Sequence, residues 1–245
     1  MFRAIPRRIQ QRARPESITY SRRGKETTEL ASTSTRRRDV ASILLLLAGV
    51  VASYHVVLRS WHRTWGATDE EVSGQLPGDD LVPEPSDETT RAVTVDASSD
   101  DVWPWIVQLG QGRGGFYSYT WLENLAGAGI HNVDRVVPEL QDLEEGDSIR
   151  MVREDYWLQS PITSMVVERI EPGRTMVLQD HDGGTWTFHL EPIDETTTRF
   201  IVRGRKSGTE TSVGYLSRYL VYELPHYIME RGMMVGIKAR AEGTV

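Results

Sequence analysis

No cysteine occurs in the 245 residues. Disulfides, thiolate metal ligands and cysteine nucleophiles are therefore excluded. Lysine is nearly as scarce, with Lys25, Lys206 and Lys238 the three in the chain, so arginine supplies the positive charge and does so with planar, bidentate donors. No internal repeat is visible. A Gly-x-Ser-x-Gly elbow is missing too, which removes the serine nucleophile of that type. Apolar residues make up 39%, low for a wholly packed chain, so part of it is expected to lie outside any core.

What is present is divided unevenly. Residues 1–38 hold eleven Lys/Arg against three Asp/Glu, whereas the other 207 residues hold 17 against 32. The first balance suits an anionic membrane face or nucleic acid; the second argues against nucleic-acid binding by a folded body. Rich in Arg, Ser and Thr and without apolar periodicity, residues 1–38 read as a basic disordered tail. Val40–Leu58 follows as nineteen residues without a charge. At about 1.5 Å per residue such a helix reaches roughly 28 Å, close to the hydrocarbon thickness of a bilayer. Arg36-Arg37-Arg38 precedes it, and Tyr54, Trp61 and Trp65 suit the far interface. The expectation is one transmembrane helix over residues 39–60, with the N-terminus cytoplasmic and the body outside the cell membrane. A cleaved export signal is the alternative, with Arg37-Arg38 as a loose twin-arginine feature and Val50-Val51-Ala52 as the cleavage site.

Residues 61–88 carry Gly74, Pro77, Gly78, Pro83 and Pro85 among many acids, and read as an irregular connector. Arg91 to Asp96 then alternates with a period of two, as a strand does. Ser98 to Asp101 offers an N-cap for a short helix through Trp103 to Leu109, with Pro104 in its first turn, and a second short helix is predicted near Tyr119 to Leu125. Strands are predicted over Asp147–Val152, Ser164–Ile170, Thr175–Asp180, Thr185–Leu190 and Thr198–Gly204, separated by turn residues, as in an antiparallel meander. Leu216, Leu220, Leu224, Tyr227 and Ile228 recur at helical spacing, so a long amphipathic helix is expected over Thr209 to Ala241, kinked or divided at Pro225.

The densest segment is Trp103 to Arg135, which holds six of the twenty aromatics and six of the 21 glycines. Within it, Val102-Trp103-Pro104-Trp105 and the run from Gln108 through Gly110-Gln111-Gly112-Arg113-Gly114-Gly115 to Tyr119 resemble a prokaryotic branch, of unsettled function, of the SRPBCC or START-like superfamily. That superfamily includes polyketide cyclases, lipid-transfer domains and Bet v 1-like carriers. Trp65 to Thr68, Leu76 to Asp79, Trp121 to Asn124, Ile130 to Asn132 and Asp134-Arg135 fit the same pattern, so the resemblance covers about residues 65–241. It implies an α+β helix-grip domain over 89–245, an antiparallel sheet wrapped around a long C-terminal helix and enclosing an apolar cavity. Where that branch carries Asp in the aromatic motif this chain has Thr120, which weakens any proposal that needs an acid there.

The glycine run superficially suggests a phosphate loop, but it follows a helix and leads into aromatics, and no Lys-Ser/Thr closes it. A tight turn at a cavity mouth is the better reading. Trp105, Phe116, Tyr117, Tyr119 and Trp121 are candidate walls for a ligand, with Arg113 a candidate for its carboxylate or phosphate. Core packing and an internal ion pair are the corresponding structural readings. His131, Glu123 and Asp134 form the best polar cluster for proton transfer, although sequence proximity does not bring side chains together. No metal site and no cofactor is expected, since no set of ligands has demonstrable spacing. The expected function is binding of a hydrophobic small molecule or lipid by a membrane-tethered domain. A cyclase- or dehydratase-type enzyme and a non-catalytic interaction domain are the alternatives.

Overall fold

The computed structural model describes residues 39–54, 58–125, 127–156, 163–208, 219 and 222–244. The chain divides into two units, Met1–Val56 and Val57–Val245. In the first, residues 39–53 are helical and exposed. The predicted span continues into residues 55–57, which lie outside the described residues, as does the basic tail 1–38. No helix among the described residues is long and apolar enough to cross a membrane.

The second unit is built on six antiparallel strands: β1 (Asp87–Val95), β2 (Ser148–Arg150), β3 (Ser164–Glu171), β4 (Thr175–Gln179), β5 (Thr185–Pro192) and β6 (Thr198–Lys206). Their order across the sheet is β1-β6-β5-β4-β3-β2, so the first strand returns to pair with the last. The first strand begins four residues before its alternating stretch because its polar start has a polar partner. Asp87 and Glu88 lie opposite Lys206 and Arg205, and Glu88 pairs with the Arg205 guanidinium at 2.6 Å.

Alternation sorts the strands into two faces. Val95, Phe188, Phe200 and Met176 belong to the core, where they meet the helix α3 (Ser99–Val107) and the C-terminal helix α5 (Glu223–Ala241). Each large side chain so buried contributes about 2 kcal/mol. Ser98 caps α3 by accepting from the Asp101 N–H, so the helix starts at Ser99, earlier than predicted, and Pro104 falls beyond its first turn. Pro225 is the third residue of α5; Tyr222 ahead of it still has helical backbone angles, and residues 220 and 221 lie outside the described residues. Residues 209–218, the start of the predicted helix, lie outside the described residues.

The opposite face of β1, β6 and β5 is covered by residues 66–82, which contain α2 (Asp69–Ser73) with its Thr68/Glu71 capping box, whereas α1 (Arg59–Arg63) packs at the edge of β1 against the start of α5. Arg203 of β6, 1% exposed, reaches into the covering segment and bonds Asp79 at 2.6 Å, the Gly74 carbonyl at 2.8 Å and Thr90 at 3.0 Å. Arg199 holds both oxygens of Glu71. Gly78, at φ +92, rests directly on Val177, where a β-carbon would come within 2.8 Å. The result is an α+β domain in the helix-grip arrangement, with short helices packed on the outside of the sheet.

Candidate functional site

The glycine-rich turn is built around side chains of this chain. Gly110 and Gly115 bond each other's backbone, while the N–H groups of Gln111 and Gly114 go to the Arg150 and Gln108 carbonyls. These donors are spent internally, so no phosphate cradle forms. The turn places Tyr117 at φ +55, the one non-glycine residue among those described with a positive φ. Asn132 holds it there: its Oδ1 accepts from the N–H groups of Phe116 and Tyr117 at 3.0 and 2.8 Å, and its Nδ2 donates to Thr120 Oγ1 at 2.9 Å. Buried Gln108 donates to the Tyr117 hydroxyl at 2.6 Å, and burial pushes that phenol up to about 12. Trp105 meets the Tyr117 ring edge-on at 5.7 Å, and the Arg240 guanidinium lies 4.7 Å above that ring.

Of the predicted ligand walls, Trp105 and Tyr117 are therefore in the core, and Phe116 packs against it. Arg113 donates to the Val107 and Leu140 carbonyls at 3.1 and 3.0 Å, tying the turn to the segment after it. Tyr119 and Trp121 are exposed. The predicted proton-transfer residues share no hydrogen bond or ion pair. His131 is exposed, and Asp134 is held by Arg240 at 2.6 Å. Glu123 lies on α4 (Thr120–Leu125), 5% exposed, with neither carboxylate oxygen hydrogen-bonded, and burial pushes it up to about 7.

The side chains that do converge lie elsewhere. Trp61, Trp65, Tyr119, Tyr227, Ile228 and Arg231 line an open depression of about 320 Å³. Four rings form its walls. The Arg231 guanidinium sits 4.8 Å over Trp65 and makes no hydrogen bond or ion pair among the described residues, so its donors face the opening unspent. Beneath Tyr227 lies a buried charged layer. Arg91 of β1 pairs with Glu230 of α5, donates to the His62 carbonyl at 2.8 Å, and lies 5.3 Å from the Tyr227 ring. Glu230 also accepts from Trp186 Nε1 at 2.7 Å. Burial lowers Arg91 to about 10, still charged at neutral pH. Beside this layer Glu223 is gripped by Arg59 at 2.9 Å, with His62 at 3.7 Å, and Arg63 binds Asp87 at 2.7 Å. Burial, ahead of the opposing Glu223 charge, lowers the His62 pKa.

Sequence reasoning missed Arg91, Glu230, Trp186, Arg231 and His62. A signal existed for the first two. Arg91 occupies the periodic position of β1 shared with Val93 and Val95, and Glu230 falls between Tyr227 and Met234 on the buried side of α5. A charge at an apolar position of both elements is what a buried pair looks like in sequence. Among the described residues no group of His, Asp and Glu is placed to hold a metal ion.

No family model matches the chain, and no curated protein is similar to it. Solved structures are similar at low identity. A protein from Staphylococcus saprophyticus is 14% identical, with a TM-score of 0.37 over 65% of this chain and 94% of that one. A polyketide-cyclase-like protein from Corynebacterium glutamicum is 14% identical, with a TM-score of 0.33 over 62% and 88%. The ZhuI aromatase/cyclase of Streptomyces sp. R1128 is 13% identical, with a TM-score of 0.37 over 64% and 93%. The strand order and the helix packed against the sheet, read from this chain itself, are the helix-grip architecture that its resemblance to the SRPBCC superfamily implies.

Proposed function

We propose that the chain is a membrane-tethered helix-grip domain that binds an amphipathic small molecule with a flat apolar body and an anionic head. One observation carries this reading: four aromatic side chains and an arginine without a polar partner line the same depression. Rings of this kind supply large contact areas at little cost in side-chain entropy, and a guanidinium over an indole is pre-oriented for a carboxylate or phosphate. A volume of about 320 Å³ suits a small ligand, at the lower end of ordinary sites. The tether is the charge-free run Val40–Leu58, and the basic residues ahead of it set the N-terminus in the cytoplasm and the domain outside.

The test is native mass spectrometry of the full chain released from lipid nanodiscs. An anionic apolar adduct should accompany the wild type and be absent from Trp65→Ala and Arg231→Gln. The same adducts on all three proteins, or none on any, would remove the depression as a binding site.

A second reading, an acid–base enzyme of cyclase or dehydratase type, is favoured by Glu123 alone. A carboxyl without a hydrogen-bonding partner and close to half-protonated at neutral pH is matched to proton transfer. This reading expects loss of water from a β-hydroxyketone probe by the wild type and none by Glu123→Gln. It fails if the wild type leaves the probe unchanged.

A further inference from the structure

We infer that the domain lies with one particular face against the bilayer, and that the aromatic depression opens toward the lipid. The inference rests on the membrane tether proposed above. It starts from Trp61, Tyr119, Trp121, Leu125, Ile228 and Val235, all exposed large apolar side chains. They are neighbours by geometry. A β-carbon on Gly232 of α5 would lie 2.9 Å from the Tyr119 ring, so Ile228 and Val235, four residues before and three after Gly232, flank Tyr119 on one side of the helix. Trp61, Tyr119 and Ile228 also share the depression, and Trp121 and Leu125 stand one helical turn apart on the exposed side of α4. A soluble surface seldom shows this many aromatic and aliphatic groups together without an occupant.

Charge selects the occupant. Beyond residue 38 the chain holds 32 acidic residues against 17 basic ones. Yet the two segments that make this face, residues 116–125 and 223–241, contain only three carboxylates. Glu123, Glu223 and Glu230 are 5%, 6% and 3% exposed respectively. On the same two segments Arg231 is partly accessible and makes no ion pair among the described residues, whereas Lys238 is paired with Glu242 and Arg240 with the exposed Asp134. Around Arg231 and the depression, segments that present no exposed carboxylate of their own, on an acidic protein and rich in Trp and Tyr, are complementary to a phospholipid surface. Position agrees, because the charge-free run ends at Leu58, three residues before Trp61, and Arg59 and Arg63 bind α1 to Glu223 and Asp87. A chain leaving the bilayer at that point has little length in which to carry this face far from the headgroups. Amphipathic ligands partition into the same layer, so a depression opening there meets them where they are concentrated.

The absence of cysteine makes the test direct. Full-length chains carrying Trp121→Cys, Ile228→Cys, Val235→Cys or, as a control on the turn between β5 and β6, Ile193→Cys are spin-labelled. They are then reconstituted into phosphatidylcholine–phosphatidylglycerol vesicles. Power saturation should show the labels at 121, 228 and 235 more accessible to oxygen than to a water-soluble nickel chelate, with the order reversed at 193. Quenching of the native tryptophans by brominated lipid should fall in Trp61→Phe/Trp121→Phe, which gives the same reading without a label in the face. Labels at 121 and 228 as aqueous as the one at 193 would overturn the proposal. So would spin–spin broadening at 228 that grows with protein density, which would assign the face to a second copy. Flotation with the vesicles after alkaline carbonate reads the tether separately. Chains that float while their labels stay aqueous refute the docking face alone, and chains that do not float refute the tether and with it this inference.

Discussion

A single carboxyl illustrates how residue type and residue environment part company. Glu123 was legible in the sequence as an acid near a histidine, but its burial on a six-residue helix and its lack of a partner were not. Those depend on how α4 packs against elements far away in sequence. The consequence is a measurable pH dependence. Folded Glu123 keeps its proton up to about pH 7, whereas the unfolded chain releases it near 4.5. Its contribution to stability is therefore complete below about pH 4.5, declines as the unfolded state ionises, and is gone above about pH 7. Glu123→Gln removes the titration. The variant should match the wild type at about pH 4 and exceed it at about pH 8 by on the order of 2 kcal/mol in urea denaturation. A difference that stays constant across that range would show that the carboxyl does not titrate between the two values. Arg91 and Glu230 carry the complementary lesson. Each is visible as a charge on an apolar repeat, yet nothing local says that the two meet, since 139 residues separate them.

At the level of elements the sequence was more transparent. All six strands lie where the two-residue period and the intervening turns predicted them, because alternation is imposed by the pleat itself and survives whatever packs on either side. Helix limits were harder. The start of α3 was set by the Ser98 cap, a fact that depends on the exact first residue of the helix. Gly236 shows how one element constrains another. In the middle of a helix alanine is ordinarily favoured over glycine by about 1 kcal/mol. At Gly236, however, a β-carbon would lie 2.0 Å from the Tyr117 carbonyl oxygen, on a backbone that Asn132 holds in place. Gly236→Ala should therefore destabilise the domain by about 3 kcal/mol, reversing the usual sign. Gly112→Ala, where a β-carbon meets nothing within 4 Å, should cost about 1 kcal/mol through its left-handed φ alone. Thermal unfolding compares the two. Equal losses would mean that the turn yields to the helix.

For the molecule as a whole, the segment read as an irregular connector turns out to be an outer layer of the sheet. Its role was hidden because glycines, prolines and acids look alike whether they are solvated or bound, and the arginines that hold them come from β6. A chain beginning at Ser86 keeps every strand but leaves Arg203 and Arg199 without Asp79 and Glu71, and uncovers Val177 and Ile201. A buried charge deprived of its partner costs about 3–5 kcal/mol. Such a chain should aggregate or unfold without cooperativity, whereas one beginning at Val57 should unfold in a single transition. Matching sharp transitions for the two would show that the outer layer is dispensable. The short helix ahead of that layer, α1, governs how force enters the protein. Traction on the chain ahead of Arg59 meets the Arg59–Glu223 and Arg63–Asp87 pairs before it reaches the first hydrogen bond of β1, and these pairs pass it to the C-terminal helix and to the sheet together. A tug on the chain ahead of Arg59 is thus shared between the sheet and the C-terminal helix, and the edge strand is not peeled away by it.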